Sequence, residues 1–392
     1  MKKISFIVTN YNTQKYTEWC YNSIRKNLGY VHEIVMLDDG SNDGTWELLQ
    51  KLKSKDQNMI IHRNEENIGI AYSYNKMVEL SSNEIVCMLH SDMYVPPKFD
   101  EIMLKYMEEY DFITPLRVEP NVGYPESVDK SLIDFGTKSE EFDEDGFIKW
   151  HEKNIEENNG RTEQRMFFPW MIKKSLYQEI GGNDELFLKY MIDDDDFYLR
   201  LKMHGANYCQ LFETAVYHMP SKSVRMREDG HINIDSQYNK SLRNFIRKWG
   251  VWPGSVWDDN RDMIIPKKYD IALVVENCTY DKLFFLEPWC SNIYIHDRGH
   301  ILDYTMREQS KTSFNLSEKV IPIERLENSS NDVIVKFNSN ELNSEEKIAF
   351  IQRLPDILSN SGKLGQMKYD IFELDIISLE TYENENIINR RL

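Results

Sequence analysis

An α/β architecture in two units, the first built on a mostly parallel sheet with helices on both faces, follows from three features of this sequence. Over the first 115 residues, apolar runs too continuous for a one-sided strand alternate with amphipathic stretches. Polar clusters fall at the ends of those runs, where ligands bind in open parallel sheets. The alternation lapses in mid-chain and restarts near residue 268, which marks a second, smaller core.

In order, ISFIVT, EIVMLDD, MIIHRN, EIVCMLHSD and DFITPL read as strands. YTEWCYNSIRKNL, GTWELLQKLKSK, GIAYSYNKMVEL and PKFDEIMLKYMEEY read as the helices beside them. TNYN, DDGSNDG and HSDMY close the first, second and fourth strands. From Arg117 to about Arg165 the periodicity fades, and the acidic, Asn-rich EEFDEDGF and HEKNIEENNG read as insertion loops. Regularity returns at MFFPWMIKKSLYQEIGG, the helical DDDFYLRLKMHG and the strand-like NYCQLFETAVYHM. The basic PSKSVRMREDGHINIDSQYNKSLRNFIRKWG admits two readings, a solvated surface helix or a cover over an anionic ligand. Beyond a boundary near Lys267 come YDIALVV, NIYIHD, NDVIVKF, one helix over SEEKIAFIQRLPDILSNSG, and YDIFELDIISL.

A chain of 392 residues is long for one domain, and 41% hydrophobic with 12% aromatic residues fills more than one core. The net charge of -18, from 65 acidic and 47 basic residues, opposes attraction to phosphate backbones and anionic lipids, so nucleic acid drops as a partner. No apolar run approaches the roughly 20 residues that span a bilayer, and MKKISFIVTNYN lacks a signal-peptide core; a soluble, cytoplasmic chain is expected. Five singly spaced cysteines without a CxxC pair read as reduced, buried thiols.

Three clusters carry chemistry. In LDDGSNDGT, Asp38 and Asp39 can accept hydrogen bonds from a base or ribose, although turn chemistry alone also accounts for Asn42, Asp43 and Gly44. In HSDMYVPP, His90 and Asp92 can face one site, with Asp92 either an oxygen ligand for Mg²⁺ or Mn²⁺ or a cap of the next turn. In MIDDDDFYLR, four aspartates crowd together, and like charges so close need offsetting cations or hydrogen bonds. Leu186, Phe187, Tyr190, Ile192, Phe197 and Leu199 frame the run, which suits a cleft wall better than a solvated acidic turn.

Taken in order, SFIVTNYN, EIVMLDDGSNDGTWELL, NEENIGIAYSYN, CMLHSDMYVPP, IGGNDELFLKYMIDDDDFYLRLKMHG and VYHMP resemble the GT-A glycosyltransferases, in particular the large inverting family 2 that makes bacterial surface polysaccharides and glycoconjugates. The resemblance implies a GT-A core over 1–220 with a variable insertion at about 117–165. It leaves a basic linker or helical extension over 221–267 and the smaller α/β unit over 268–392. It implies that Thr9, Tyr11, Asp38, Asp39 and Ser91 contact the nucleotide of a nucleotide sugar, most often uridine, while Gly69 and Asn75 shape the helix start beside it. Asp92 matches the last acid of a DxD-like metal motif. His90 stands where the first acid belongs, and an imidazole, being a softer ligand, favours Mn²⁺ over Mg²⁺. His218 in VYHMP by itself reads as a packing residue; the resemblance makes it a late histidine that reaches back to the metal.

The resemblance also places the aspartates. Asp193 and Asp194 match an acid pair, Asp196 a later acid, and Arg200 the arginine four residues on, so that Asp196 and Arg200 can pair on a helix. Asp194 points away from that arginine and is the expected general base toward an acceptor hydroxyl. A helix N-terminus, a divalent ion and Arg200 keep the cluster ionised. Lys222, Arg225 or Arg227 would help to neutralise the diphosphate. Acceptor choice is expected from Trp170, its FFPW turn and the insertion, though a tryptophan there also reads as core.

The second unit resembles a class I methyltransferase stripped of its glycine-rich loop, since ENCTYDKLFFLEPWC holds no GxG; a degenerate Rossmann-like module that assists acceptor binding or assembly is expected. The expected activity is metal-assisted, inverting transfer from a nucleotide sugar, a uridine one first, to a saccharide, glycoprotein or other glycoconjugate. Two other readings stand beside it. One is transfer to a viral acceptor such as modified DNA or a viral glycoprotein, which the negative charge opposes for DNA. The other is a noncatalytic nucleotide-sugar or glycan-binding module, motivated by His90.

Overall fold

The structure is a computed structural model that describes residues 3–122, 127–219, 234–257 and 263–381. Two compact units divide these residues, one over 3–190 and 197–219, the other over 191–196 and 234–381.

The described strands of the first unit are β1 (Ile4–Asn10), β2 (Glu33–Asp38), β3 (Met59–Arg63), β4 (Ile85–His90), β5 (Met93–Tyr94), β6 (Phe112–Glu119), β7 (Lys130–Leu132), β8 (Thr162–Glu163), β9 (Trp170–Lys173) and β10 (Tyr208–His218). They form one sheet in the order β3-β2-β1-β4-β9-β6-β10-β5, with β7 on β6 and β8 on β10. From β3 to β4 the strands run parallel, as do β7, β6 and β10; β9 enters antiparallel between β4 and β6. The α/β expectation holds, and the strands show why. Ile4, Phe6, Ile7 and Val8 of β1 are buried, as are Ile34, Val35, Met36 and Leu37 of β2. Each such side chain contributes about 1.5–3 kcal/mol relative to exposure. Parallel register sets Thr9 of β1 opposite Leu37 of β2 and His90 of β4, so the polar residues that follow share one edge.

The stretch read as insertion loops contains a helix, Glu144–Glu157. Asp143 caps it by accepting from Gly146 N, two acids occupy its first turn, and Phe147, His151 and Asn154 are buried at helical spacing. Phe147 joins Tyr94 and Tyr217 in an apolar cluster flanked by Trp19 and Trp150. The dense acids around Phe147 concealed that spacing.

The second unit contains β11 (Ile271–Glu276), β12 (Asn292–Ile295), β13 (Val320–Pro322), β14 (Val333–Asn338), β15 (Gly365–Tyr369) and β16 (Phe372–Ile376). Their order is β13-β12-β11-β14-β16-β15, with the first four parallel and the last two antiparallel. A buried carboxylate, Glu287, anchors the surrounding helices, with Tyr304 Oη at 2.6 Å and Arg247 Nη2 at 2.8 Å. Burial acts to raise Glu287, but Lys319 and Arg247 outweigh it and hold the carboxyl down at about 2. The single helix expected over SEEKIAFIQRLPDILSNSG is two, Glu345–Gln352 and Leu354–Ser361. Pro355 has no amide hydrogen with which to continue the first helix, whereas it fits the opening turn of the second.

Of the basic stretch, residues 220–233 lie outside the described residues. The rest is the helix Ile234–Trp249, in which Phe245, Ile246 and Trp249 are buried, so over these residues it is not a solvated surface helix. All five cysteines are free and buried. No described helix is long and apolar enough to cross a membrane.

Candidate functional site

Beyond the carboxyl ends of β1, β2 and β4, the loops are tied together by their own hydrogen bonds. Asn12 N donates to Ser41 Oγ, and Asn42 N to Asn12 Oδ1, each at 2.8 Å. Asp38 is fully buried; its Oδ1 accepts from Ser41 N at 3.1 Å, and its Oδ2 stands 3.2 Å from Arg63 Nε. Burial outweighs those contacts and raises its carboxyl. Asp39 accepts from Asn64 Nδ2 at 2.7 Å, Gly69 N at 2.9 Å and Ile68 N at 3.0 Å, which fixes the turn into the helix Ile70–Leu80. Gly69 is needed there, because its φ is +120° and a β-carbon would lie 2.5 Å from Lys189 Cα.

Asn75 joins that helix to a later loop. It donates to Asn183 O at 2.9 Å and accepts from Tyr177 Oη at 2.8 Å and Asn183 N at 2.9 Å. Thr9 and Tyr11 are half-buried at the same edge, and Ser91 is buried with its hydroxyl donating to Thr13 Oγ1 at 3.1 Å.

Three donors converge beyond β4 and β10. One ligand atom each from His90, Asp92 and His218 lies within 4.8 Å of the others. β5 brings them close, since Met93 pairs with His218, and Met219 N donates to Asp92 O at 3.0 Å. His218 Nε2 stands 3.5 Å from Asp92 Oδ1, and its Nδ1 stands 2.7 Å from Glu119 Oε1. His90 stacks on Phe168 with ring centroids 4.0 Å apart.

The electrostatics of this cluster suit a cation. Burial acts to raise Asp92, but His218 and then His90 overcome it and hold the carboxyl below its ordinary value. Burial acts to lower His218, but Asp92 and Glu119 overcome it and raise the imidazole, so positive charge is favoured there. Burial pushes His90 down to about 4, which keeps its ring neutral with a lone pair to offer. One carboxylate and two imidazoles form a donor set that fits a first-row divalent ion. These residues therefore fit the metal that the sequence resemblance implies.

The acid run opens the helix Asp193–Met203. Met191 and Ile192 precede it at φ of 77° and 67°, left-handed backbone that β-branched residues rarely adopt and that clusters at functional sites. The four carboxylates differ. Asp196 is fully buried, 2.6 Å from Lys248 Nζ, and accepts from Trp249 Nε1 at 2.9 Å. Lys248 thus supplies a counter-charge that sequence spacing did not suggest. Asp195 accepts from Trp257 Nε1 at 2.9 Å; burial and the adjacent Asp194 push it up to about 7. Burial, and then Asp194, push Asp193 well above the carboxylate range. Asp194 is the exposed member, its Oδ1 accepting from Asp195 N at 3.0 Å. Arg200 is buried and donates to Ile180 O at 2.6 Å.

Asp195 has a consequence for stability. Between its unfolded value of about 4 and its folded value of about 7, the folded chain keeps a proton that the unfolded chain has released, so stability falls as pH rises through that window. Asp195→Asn is expected to melt with the wild type near pH 4 and a few degrees above it at pH 8, read by thermal unfolding at both pH values. A variant that gains nothing at pH 8 would contradict the raised carboxyl.

The family model described as "Glycosyl transferase family 2" matches residues 5–181. The chain carries a family 2 glycosyl transferase domain. The family recognised from the ordered motifs is therefore the family of this domain. GlyG, a glycosyltransferase of Streptococcus pneumoniae serotype 4, is 29% identical over 108 residues, 28% of this chain and 36% of that one. A dolichol-phosphate mannosyltransferase of Pyrococcus furiosus is 32% identical over 107 residues, 27% of this chain and 29% of its own length. The aligned stretches thus span about a third of these curated relatives. Among solved structures, GalNAc-T7 with UDP, GalNAc and Mn²⁺ covers 67% of this chain and 49% of its own at 14% identity, with a TM-score of 0.47.

Within the glycosyl transferase domain, Trp170 is 2% exposed and stacks on Phe197 at 5.1 Å, so the core reading describes it and no face is left for a sugar. Its neighbour in the FFPW turn, Phe168, is the aromatic that meets the donor cluster. Lys222, Arg225 and Arg227 lie outside the described residues. Glu119 was not singled out in the sequence, where it is one acid at the end of a strand, RVEP, with no motif around it.

Proposed function

We propose that the chain is a metal-assisted, inverting glycosyltransferase that moves a sugar from a nucleotide sugar, a uridine diphosphate sugar first, to a hydroxyl of a saccharide, glycoprotein or other glycoconjugate. The observation that carries this reading is the His90, Asp92 and His218 donor cluster beside the ligand edge of a family 2 sheet. Thr9, Tyr11, Asp38, Asp39 and Ser91 border the nucleotide. His90, Asp92 and His218 hold the ion, and two imidazoles suit Mn²⁺ better than Mg²⁺. Such an ion would supply neutralisation of the charge that gathers on the diphosphate.

Asp194 is the general base. The acceptor oxygen bonds to the anomeric carbon, the bond from that carbon to the diphosphate oxygen breaks, and the hydroxyl proton passes to the Asp194 carboxylate. One displacement from the face opposite the leaving group inverts the anomeric centre. Asp193 flanks the base, and Asp196 and Arg200 hold its helix by the buried contacts already given. Lys222 and Arg225 serve the diphosphate in this reading, and the second unit serves acceptor binding or assembly. A cytoplasmic reaction agrees with five unpaired, buried thiols.

The test is release of nucleoside diphosphate from a panel of nucleotide sugars, with water or added saccharides as acceptor, in Mn²⁺, in Mg²⁺ and in chelator. Release from a uridine sugar that chelator abolishes is expected. Turnover of no nucleotide sugar in any metal would overturn the proposal.

A further inference from the structure

We propose that Glu119 is a positioning residue of this metal centre, holding His218 by Nδ1 so that Nε2 is the atom presented to the ion. The inference rests on the metal reading above and adds to it a residue that no motif contains. Strand register creates the pair. β6 and β10 run parallel with Val118 beside Tyr217, so Glu119 and His218 follow as the next neighbours and project from the same face. The contact spans 99 residues of sequence at 2.7 Å.

Glu119 is itself held. It is 3% exposed, Lys130 Nζ donates to its Oε2 at 2.9 Å, and Arg117 Nε stands 3.8 Å from its Oε1. Lys130 is delivered by β7, which pairs with β6 at Arg117, and Arg117 is bonded in turn to Asp129. A buried carboxylate at ordinary pH only accepts, so the ring nitrogen facing Glu119 carries the hydrogen. In the neutral ring, the form that can ligate, the lone pair is then on Nε2, the nitrogen 3.5 Å from Asp92. A carboxylate behind a ligating imidazole fixes its tautomer and raises its basicity, and loss of such a partner costs about 10–100-fold in metal affinity. Arg117 and Lys130 keep Glu119 from swinging into the site and competing as a ligand.

The experiment titrates the full chain with Mn²⁺ alone, followed by electron paramagnetic resonance, in wild type and Glu119→Gln, with metal-free melting curves as the check on folding. Wild-type binding that weakens about 10–100-fold in a normally melting Glu119→Gln is expected. Equal affinity in the two proteins would overturn the positioning role while leaving the metal site in place. Absence of Mn²⁺ binding by the wild type would bring down the metal reading and this inference with it. Should Glu119→Gln fail to fold, nitrogen-15 histidine NMR of the wild type with Cd²⁺ as the diamagnetic probe decides: a proton on Nδ1 of His218 supports the inference, and a proton on Nε2 overturns it.

Discussion

Asp194→Asn is expected to lower the rate of sugar transfer by about 10²–10⁴-fold, the range that a general base contributes, with little change in donor binding. The substitution keeps shape and leaves an oxygen to accept from Asp195 N, but it removes the site that takes the proton. Asp194 is the exposed member of its run, so the variant should also melt close to the wild type. Its neighbours provide the contrast. Asp196 and Lys248 form a fully buried pair, and breaking such a pair costs about 3–5 kcal/mol, so Asp196→Ala should lose activity through folding. Single-turnover rates of Asp194→Asn, beside its melting curve, separate the two causes. A variant that transfers sugar at the wild-type rate would place the base elsewhere.

Asp92→Asn should be the most damaging change to the donor cluster. It takes away the one carboxylate among the three donors and leaves two imidazoles, one of which already favours a proton. The loss in Mn²⁺ affinity should exceed the roughly 10–100-fold that removal of an outer partner costs, and transfer should fall with it. Adding Mn²⁺ far above the wild-type requirement should restore only part of the rate. Full activity in Asp92→Asn, with unchanged response to chelator, would show that the ion is held by other residues.

Much of the first unit was legible because its signals are local. A run such as IVMLDD reports a buried parallel strand and its polar end together, and HSD and VYH each fall at a strand terminus that the register then aligns. What escaped the sequence depends on distant partners or on composition that masks spacing. Glu119 gains its meaning from His218, and Asp196 from Lys248 and Trp249, contacts separated by 99, 52 and 53 residues. The helix Glu144–Glu157 was hidden because acids outnumber the apolar residues that mark its buried face. Trp170 illustrates a different limit: an aromatic beside a turn can face a core or a ligand, and its stacking partner Phe197, 27 residues on, selects the core.

In the proposed function Asp38 and Asp39 both shape the turn and meet the nucleotide. Their carboxylates are already engaged, Asp39 by three donors that shape the turn at Gly69 and Asp38 by Ser41 and Arg63. Such prior engagement makes the edge rigid, which lowers the ordering that a bound nucleotide would otherwise require. In the proposed function these residues therefore recognise the nucleotide through a preformed edge.

The most direct measurement is thermal unfolding of the purified protein with uridine diphosphate in Mn²⁺, in Mg²⁺ and in chelator, alongside Asp92→Asn. A ligand that binds only the folded chain raises stability by mass action, about 2.7 kcal/mol at a hundred times its Kd. The proposed function predicts a rise in Tm that needs both nucleotide and Mn²⁺ and is lost in Asp92→Asn. No rise with nucleotide, or the same rise in chelator as in Mn²⁺, would contradict a metal-assisted transferase.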